Sequence, residues 1–157
     1  MERKIVHIVG TGTIGEPLIG LLTDYKDQLG IDEVTFHKNT PLLSDRSKVI
    51  DLIRRGARLS VDETLMKDFK KLNMDPDLDT EESIKRSSVV IDCTPRGIGH
   101  ANKAKYYEKF SDSVRGFIAQ GSEDGFGKKY ARGINDFALT SSDKFLHNGH
   151  LPFRYVS

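Results

Sequence analysis

The sequence predicts an α/β fold with a doubly wound, mostly parallel sheet, and three observations carry that expectation. Short apolar strand-like runs alternate with segments whose apolar residues recur every three or four positions. A glycine cluster, Gly10-Thr11-Gly12-Thr13-Ile14-Gly15, falls between the first such run and the first such helix. The other unusual segments, Cys93-Thr94-Pro95 and Gln120-Gly121, each close a later apolar run. In a parallel sheet that is the rim where ligands sit, beyond the carboxyl ends of the strands.

Ile5-Val6-His7-Ile8-Val9 reads as a buried first strand. The helix after the glycines carries Ile14, Leu18, Leu21, Leu22, Tyr25 and Leu29 at helical spacing, which predicts that these residues form its inward face, with Gly30 as the stop signal. Asp32 to His37 reads as a second strand ending in the turn-like Asn39-Thr40-Pro41. A helix from Asp45 to Arg55 follows, with Val49, Leu52 and Ile53 inward and Gly56 closing it. Leu59-Ser60-Val61 suggests a short strand, and Asp62 an N-cap for a helix bearing Leu65, Met66, Phe69 and Leu72. Asp75 to Asp79 is polar and reads as a break, and Thr80 to Ile84 as a short helix leading to the apolar run Val89-Val90-Ile91. A helix through Phe110 and a strand, Gly116 to Ala119, complete the pattern. Beyond Gly121 glycines and charges crowd together and the pattern assigns no element.

At 157 residues the chain has the length of one domain, and with 37% apolar residues it can bury a core. The 24 Lys and Arg against 23 Asp and Glu leave a net charge of +1, which argues against a nucleic-acid or anionic-membrane binder working by bulk charge. A single cysteine excludes a disulfide framework or a cysteine-based zinc site and fits a reducing compartment. No stretch has the length of a membrane span or of a signal peptide's apolar core, so a cytoplasmic protein is expected.

The glycine cluster matches G-x-G-x-x-G in the strand-to-helix context that gives this pattern its meaning, the Rossmann-type dinucleotide-binding fold. Gly10 permits the tight turn, Gly12 lets the backbone approach a pyrophosphate, and Gly15 allows close packing of helix on strand. Such folds usually place an acid at the end of the second strand, about 20 residues after the loop, to hold the adenine ribose hydroxyl. Here the strand ends Phe36-His37-Lys38-Asn39-Thr40, with no acid after Glu33. Cations in that position, Lys38 above all, point to tolerance of or preference for the 2′-phosphate of NADP over NAD.

The second rim segment, Thr94-Pro95-Arg96-Gly97, faces the first across the crevice of such a sheet and is expected to line the cofactor. Cys93 ends a buried strand with no histidine beside it, so it is read as a structural residue, and Asp92 as the group that orders the turn. Gln120 and Gly121 end a further strand at the same rim. His7 is read as a satisfied core side chain, and His147, Asn148 and His150 as loop residues with no carboxylate at metal-ligand spacing. No catalytic or metal-binding residue is therefore assigned within the chain.

Taken together, Gly10 to Gly15, the turn Lys38 to Pro41, Asp92-Cys93-Thr94-Pro95-Arg96-Gly97-Ile98-Gly99, Ala101-Asn102-Lys103, Gln120-Gly121 and Arg154-Tyr155-Val156-Ser157 resemble the nucleotide-binding part of the archaeal, type II glyceraldehyde-3-phosphate dehydrogenases. The resemblance spans nearly the whole chain, and the block from Asp92 to Gly99 is its most specific part. It implies that Thr13 and Ile14 meet the cofactor phosphates, that Gly121 lies near the nicotinamide, and that Ser157 borders the substrate. It also implies use of NADP as well as NAD, a cytoplasmic homo-oligomer, and a place in glycolysis and gluconeogenesis. Two residues depart from the pattern: Arg96 and Ser122 stand where the family has glycine.

In the family the serine matching Ser157 is followed at once by the cysteine nucleophile. That thiolate attacks the aldehyde of glyceraldehyde 3-phosphate, hydride passes to the nicotinamide, and phosphate releases the thioester. The resemblance thus implies that residues 1–157 are a dinucleotide-binding fragment, inactive alone, with 141–157 leading into an absent catalytic domain. The alternatives are the cofactor domain of a related enzyme such as an aspartate-semialdehyde dehydrogenase, or a stand-alone nucleotide-sensing module.

Overall fold

In the computed structural model, residues 2–120 and 123–148 are described. Eight strands form one sheet: β1 (Ile5–Val9), β2 (Glu33–His37), β3 (Arg58–Val61), β4 (Leu78–Asp79), β5 (Val89–Asp92), β6 (Gly116–Ala119), β7 (Lys128–Lys129) and β8 (Phe145–His147). Their order is β4-β3-β2-β1-β5-β6-β8-β7, and every described pairing is parallel. The chain moves outward from β1 to β4, then returns to the other side of β1 as β5. The reversal leaves a crevice at the carboxyl ends of β1 and β5.

Five helices cover the sheet: α1 (Gly15–Asp24), α2 (Arg46–Arg55), α3 (Met66–Lys71), α4 (Thr80–Lys85) and α5 (Ile98–Asn102). Helix α5 continues through a π-helical turn, Lys103–Tyr107, and a 3-10 turn, Glu108–Phe110. Because strand side chains alternate between faces, Ile8 joins one core and Val9 the other. Ile8, Ile19, Val34, Phe36, Leu52, Leu59 and Phe69 form the first, and Val9, Ile84, Val90, Tyr107, Phe117 and Phe126 the second. No helix among the described residues is long and apolar enough to cross a membrane.

Three expectations are corrected. Helix α1 ends at Asp24, and its inward residues are Gly15, Ile19, Gly20 and Thr23, while Ile14, Leu21, Tyr25 and Leu29 are exposed. Close approach decides the face. A Cβ on Gly15 would lie 2.0 Å from the Gly10 carbonyl oxygen, and one on Gly20 would lie 2.5 Å from the Arg55 guanidinium. Small residues must therefore turn inward, whatever the apolar stripe prefers. The polar break at Asp75 to Asp79 contains β4, since Leu78 is buried beside Ser60 and Asp79 caps α4 by accepting from the Glu82 N–H. His147 lies not in a loop but in β8, buried, with both ring nitrogens lacking a partner among the described residues.

His7 is only half satisfied. Its Nδ1 is 2.7 Å from Thr35 Oγ1, while Nε2 is buried without a partner. Glu33 begins β2, at the rim opposite the crevice, where three arginines, Arg3, Arg58 and Arg86, pair with its buried carboxylate. It is therefore no substitute for the missing ribose acid.

Candidate functional site

The glycine loop bridges β1 and α1 at the crevice. Gly10 has φ +99°, a left-handed conformation that favours glycine, and its N–H donates to the His37 carbonyl at 3.3 Å. Gly15 is fixed by its contact with the Gly10 carbonyl. Gly12 differs from both, because a Cβ there would meet nothing within 4 Å. The middle of the loop is thus bare backbone facing open space, with the positive end of the α1 dipole beside it. No described atom lies within 4 Å of where a Gly12 Cβ would sit, which leaves room for an anion beside the loop.

Two cavities share this loop. One, of about 420 Å³, runs over the ends of β1 and β2 and is lined by Gly10, His37, Lys38, Thr40, Tyr106 and their neighbours. The other, of about 1020 Å³, is lined by Gly10 to Ile14, Cys93, Thr94, Pro95 and Gln120. Thr11, Thr94 and Pro95 border both. Gly10, Gly12, Thr13, Ile14, Lys38, Thr94, Pro95 and Gln120 therefore come together along one continuous crevice. Arg96 and Gly97 lie exposed on the turn and line neither cavity. Gly121 and Ser157, together with Ser122, His150 and Arg154 to Val156, fall outside the described residues.

The second rim loop is held from below by Asp92, which is buried. One of its oxygens accepts from the Thr94 N–H at 2.9 Å and from the Thr94 hydroxyl. The other accepts from Asn102 Nδ2 at 3.0 Å and from the Tyr107 hydroxyl at 2.5 Å. Burial and the adjoining carboxylate push the Tyr107 hydroxyl pKa well above its usual value, so it stays a donor. Asp92 orders the turn, as the sequence suggested.

Sequence reasoning missed Glu123. Its carboxylate is buried and accepts from the His100 N–H at 3.0 Å and from the Gly97 N–H, closing the start of α5. Nothing in the sequence pairs a glutamate with backbone 26 residues away, so only the fold reveals it.

Cys93 is half-buried, and burial followed by the Asp92 charge raises its thiol pKa to about 11. A thiol held protonated at neutral pH is a poor nucleophile. His37, at the end of β2, has a pKa lowered by burial to about 4, which leaves a neutral imidazole on the cavity wall. Among the described residues, no three acidic, histidine or cysteine side chains gather as a metal site.

No family model matches the chain. It is similar to curated glyceraldehyde-3-phosphate dehydrogenases: 32% identical over 121 residues to that of Pyrobaculum arsenaticum, and 34% over 119 residues to that of Pyrobaculum neutrophilum. It is 41% identical over 124 residues to glyceraldehyde-3-phosphate dehydrogenase 2 of Methanosarcina acetivorans. These matches cover 76 to 79% of the chain but only 32 to 34% of each relative, so the chain spans about a third of the length of the relatives it matches. Over three quarters of its length, then, the chain bears out the resemblance read from its residues and matches the archaeal glyceraldehyde-3-phosphate dehydrogenases, as an N-terminal domain of that family does.

Proposed function

We propose that the chain is the cofactor domain of a glyceraldehyde-3-phosphate dehydrogenase and binds a nicotinamide dinucleotide, NAD or NADP, along the crevice between β1 and β5. The observation that carries this reading is the contrast among the loop glycines: Gly10 and Gly15 are locked by packing, whereas Gly12 is bare and open. At the N-terminus of α1, that opening leaves free backbone N–H groups accessible to an anion.

On this reading the N–H groups around Gly12, Thr13 and Ile14 hold the diphosphate at the α1 N-terminus. Lys38 and Thr40 border the adenine ribose. Thr94 and Pro95 form the opposite wall, and Arg96 and Gly97 continue the same turn outside it, the turn being held in place by Asp92 and Glu123. Gln120 and Gly121 border the nicotinamide side, and Ser157 the substrate. When bound, the cofactor supplies the hydride acceptor, and these residues bind and orient it. In the family the serine matching Ser157 precedes the nucleophilic cysteine, and glyceraldehyde 3-phosphate and phosphate are the substrates we assign to a longer, cytoplasmic, homo-oligomeric protein of that kind. This chain alone turns over neither.

The test is a titration of the purified chain into NADPH and NADH in parallel, following cofactor fluorescence, which no tryptophan in the chain obscures. Saturable binding of either supports the reading. A folded, monodisperse sample that binds neither at millimolar protein overturns it.

A further inference from the structure

Lys38 was expected to stand ready for a 2′-phosphate, but the structure gives its charge a partner already. The side chain is only 7% exposed, and its Nζ lies 2.5 Å from Asp45 Oδ2. The Lys38 backbone is also tied, its N–H donating to the Ser60 carbonyl at 3.2 Å. Asp45 immediately precedes α2, where an aspartate normally turns its carboxylate onto the helix's free N–H groups. Here it makes no such bond, and the carboxylate goes to Lys38.

The second lysine near this end is matched in the same way, with Lys48 Nζ lying 3.1 Å from Glu16 Oε2. Asp45 and Lys48 line the cavity that holds the glycine loop, and Lys38 lines the one beside it. The remaining lysine on that second wall, Lys105, sits on the π-helical turn with Nζ 4.6 Å from the Tyr106 ring centre. A phosphate beside Lys38 therefore meets an ion pair, and the unpaired cation left on that wall among the described residues is Lys105. The attraction of Lys38 for such a phosphate is opposed by the adjoining Asp45 charge.

We propose that Asp45 is a specificity-determining residue: by holding the Lys38 ammonium it cancels preference for the 2′-phosphate, so the chain takes NADH and NADPH with similar affinity. The inference rests on the dinucleotide-binding reading above. It replaces the preference that the bare sequence suggests with tolerance, and it assigns the tolerance to one carboxylate.

The experiment measures dissociation constants for NADPH and NADH with the wild-type chain and with Asp45→Asn, Asp45→Ala and the double variant Asp45→Asn/Lys38→Met. Thermal melting confirms that each is folded. The wild type is expected to bind the two cofactors within a few-fold of each other. Freeing Lys38 in either single variant shifts the ratio toward NADPH by about tenfold, the effect of one charge-assisted hydrogen bond. The double variant loses that gain. NADH affinity stays nearly constant in the two single Asp45 variants, which a general structural defect would not permit. An unchanged ratio in folded, binding single variants overturns the inference and leaves the binding reading intact, and so does a wild type already selective for NADPH. A wild type that binds neither cofactor overturns both.

Discussion

Gly15 lies so close to Gly10 that a methyl group on the first would sit 2.0 Å from the carbonyl oxygen of the second. The contact is backbone against backbone, with no flexible side chain to yield. Gly15→Ala is therefore expected to destabilise the fold by about 3 kcal/mol or more, an overpacking cost that cannot relax locally. Gly12→Ala meets open space and is expected to leave the melting temperature nearly unchanged while weakening dinucleotide binding at least tenfold. Thermal melts paired with cofactor titrations check both halves. A Gly12→Ala variant that binds like the wild type would contradict the role given to the loop.

His7 and His37 give stability an acid edge. Burial, followed by the charge of His37, lowers the His7 pKa to about 3. Burial lowers His37 to about 4, against the opposing pull of Asp62 and Asp92 and with lesser contributions from Lys105 and Lys38. Both bind protons more weakly in the folded chain than in the unfolded one. Their contribution is thus complete above about pH 6.5, the unfolded value, and is lost as pH falls toward 4 and then 3. Urea melts are expected to show stability falling by several kcal/mol between pH 6.5 and 4, with the rest of the His7 contribution lost toward pH 3. The carboxylates of Asp24, Asp62, Asp124, Asp136 and Asp143, whose pKa values lie below the usual range, keep their contribution throughout that window and lose it only below its acid end. His7→Gln should flatten the slope; an unaltered slope would remove His7 as its source.

The lone thiol is expected to be sluggish. With its pKa raised to about 11, Cys93 should react with iodoacetamide at pH 7.5 far more slowly than free cysteine, and its rate should still be climbing above pH 9. Mass spectrometry of timed aliquots measures this. A rate that levels off below pH 8 would show an activated thiolate.

Glu123 secures the second rim loop through two backbone N–H groups. Glu123→Ala is expected to cost about 1.5 to 3 kcal/mol, because it removes a buried charged acceptor shared by two backbone donors at the start of α5. Glu123→Gln, which keeps an acceptor, should recover part of that loss. Amide exchange at Gly97 and His100 should accelerate in the alanine variant ahead of exchange in β1. Uniform acceleration throughout the chain would mean that the carboxylate supports the whole fold and not this loop.

Strands β1, β2, β3, β5 and β6 and the glycine loop could be read from sequence because their signals are local. Alternation, turn residues and the strand-to-helix context of Gly10 to Gly15 all lie within a few positions of one another. Helix α1 was readable as a helix but not for its orientation. Ile14, Leu21, Tyr25 and Leu29 make a credible inward stripe until Gly15 and Gly20 are seen to need contact with Gly10 and Arg55, and contacts made by missing side chains leave no apolar signal. Two-residue β4 escaped notice because a lone leucine between aspartates carries no periodicity. The ion pair at Lys38 hid for another reason. A lysine and an aspartate seven positions apart with a turn between them are unremarkable in a chain with 24 basic and 23 acidic residues.

The π-helical turn after α5 also sets a constraint on winding. In an ordinary helix, residues five apart point in well-separated directions, but the wider i to i+5 turn brings them over one another. Asn102 and Tyr107 are five apart, and both reach the same oxygen of Asp92. Wound as a regular α-helix, the same residues would carry Tyr107 about 140° round the axis from Asn102 and swing the phenol away from the carboxylate. The rim would then lose one of its anchors with every amino acid that contacts it still present. For this segment the pitch of the backbone is itself a functional parameter.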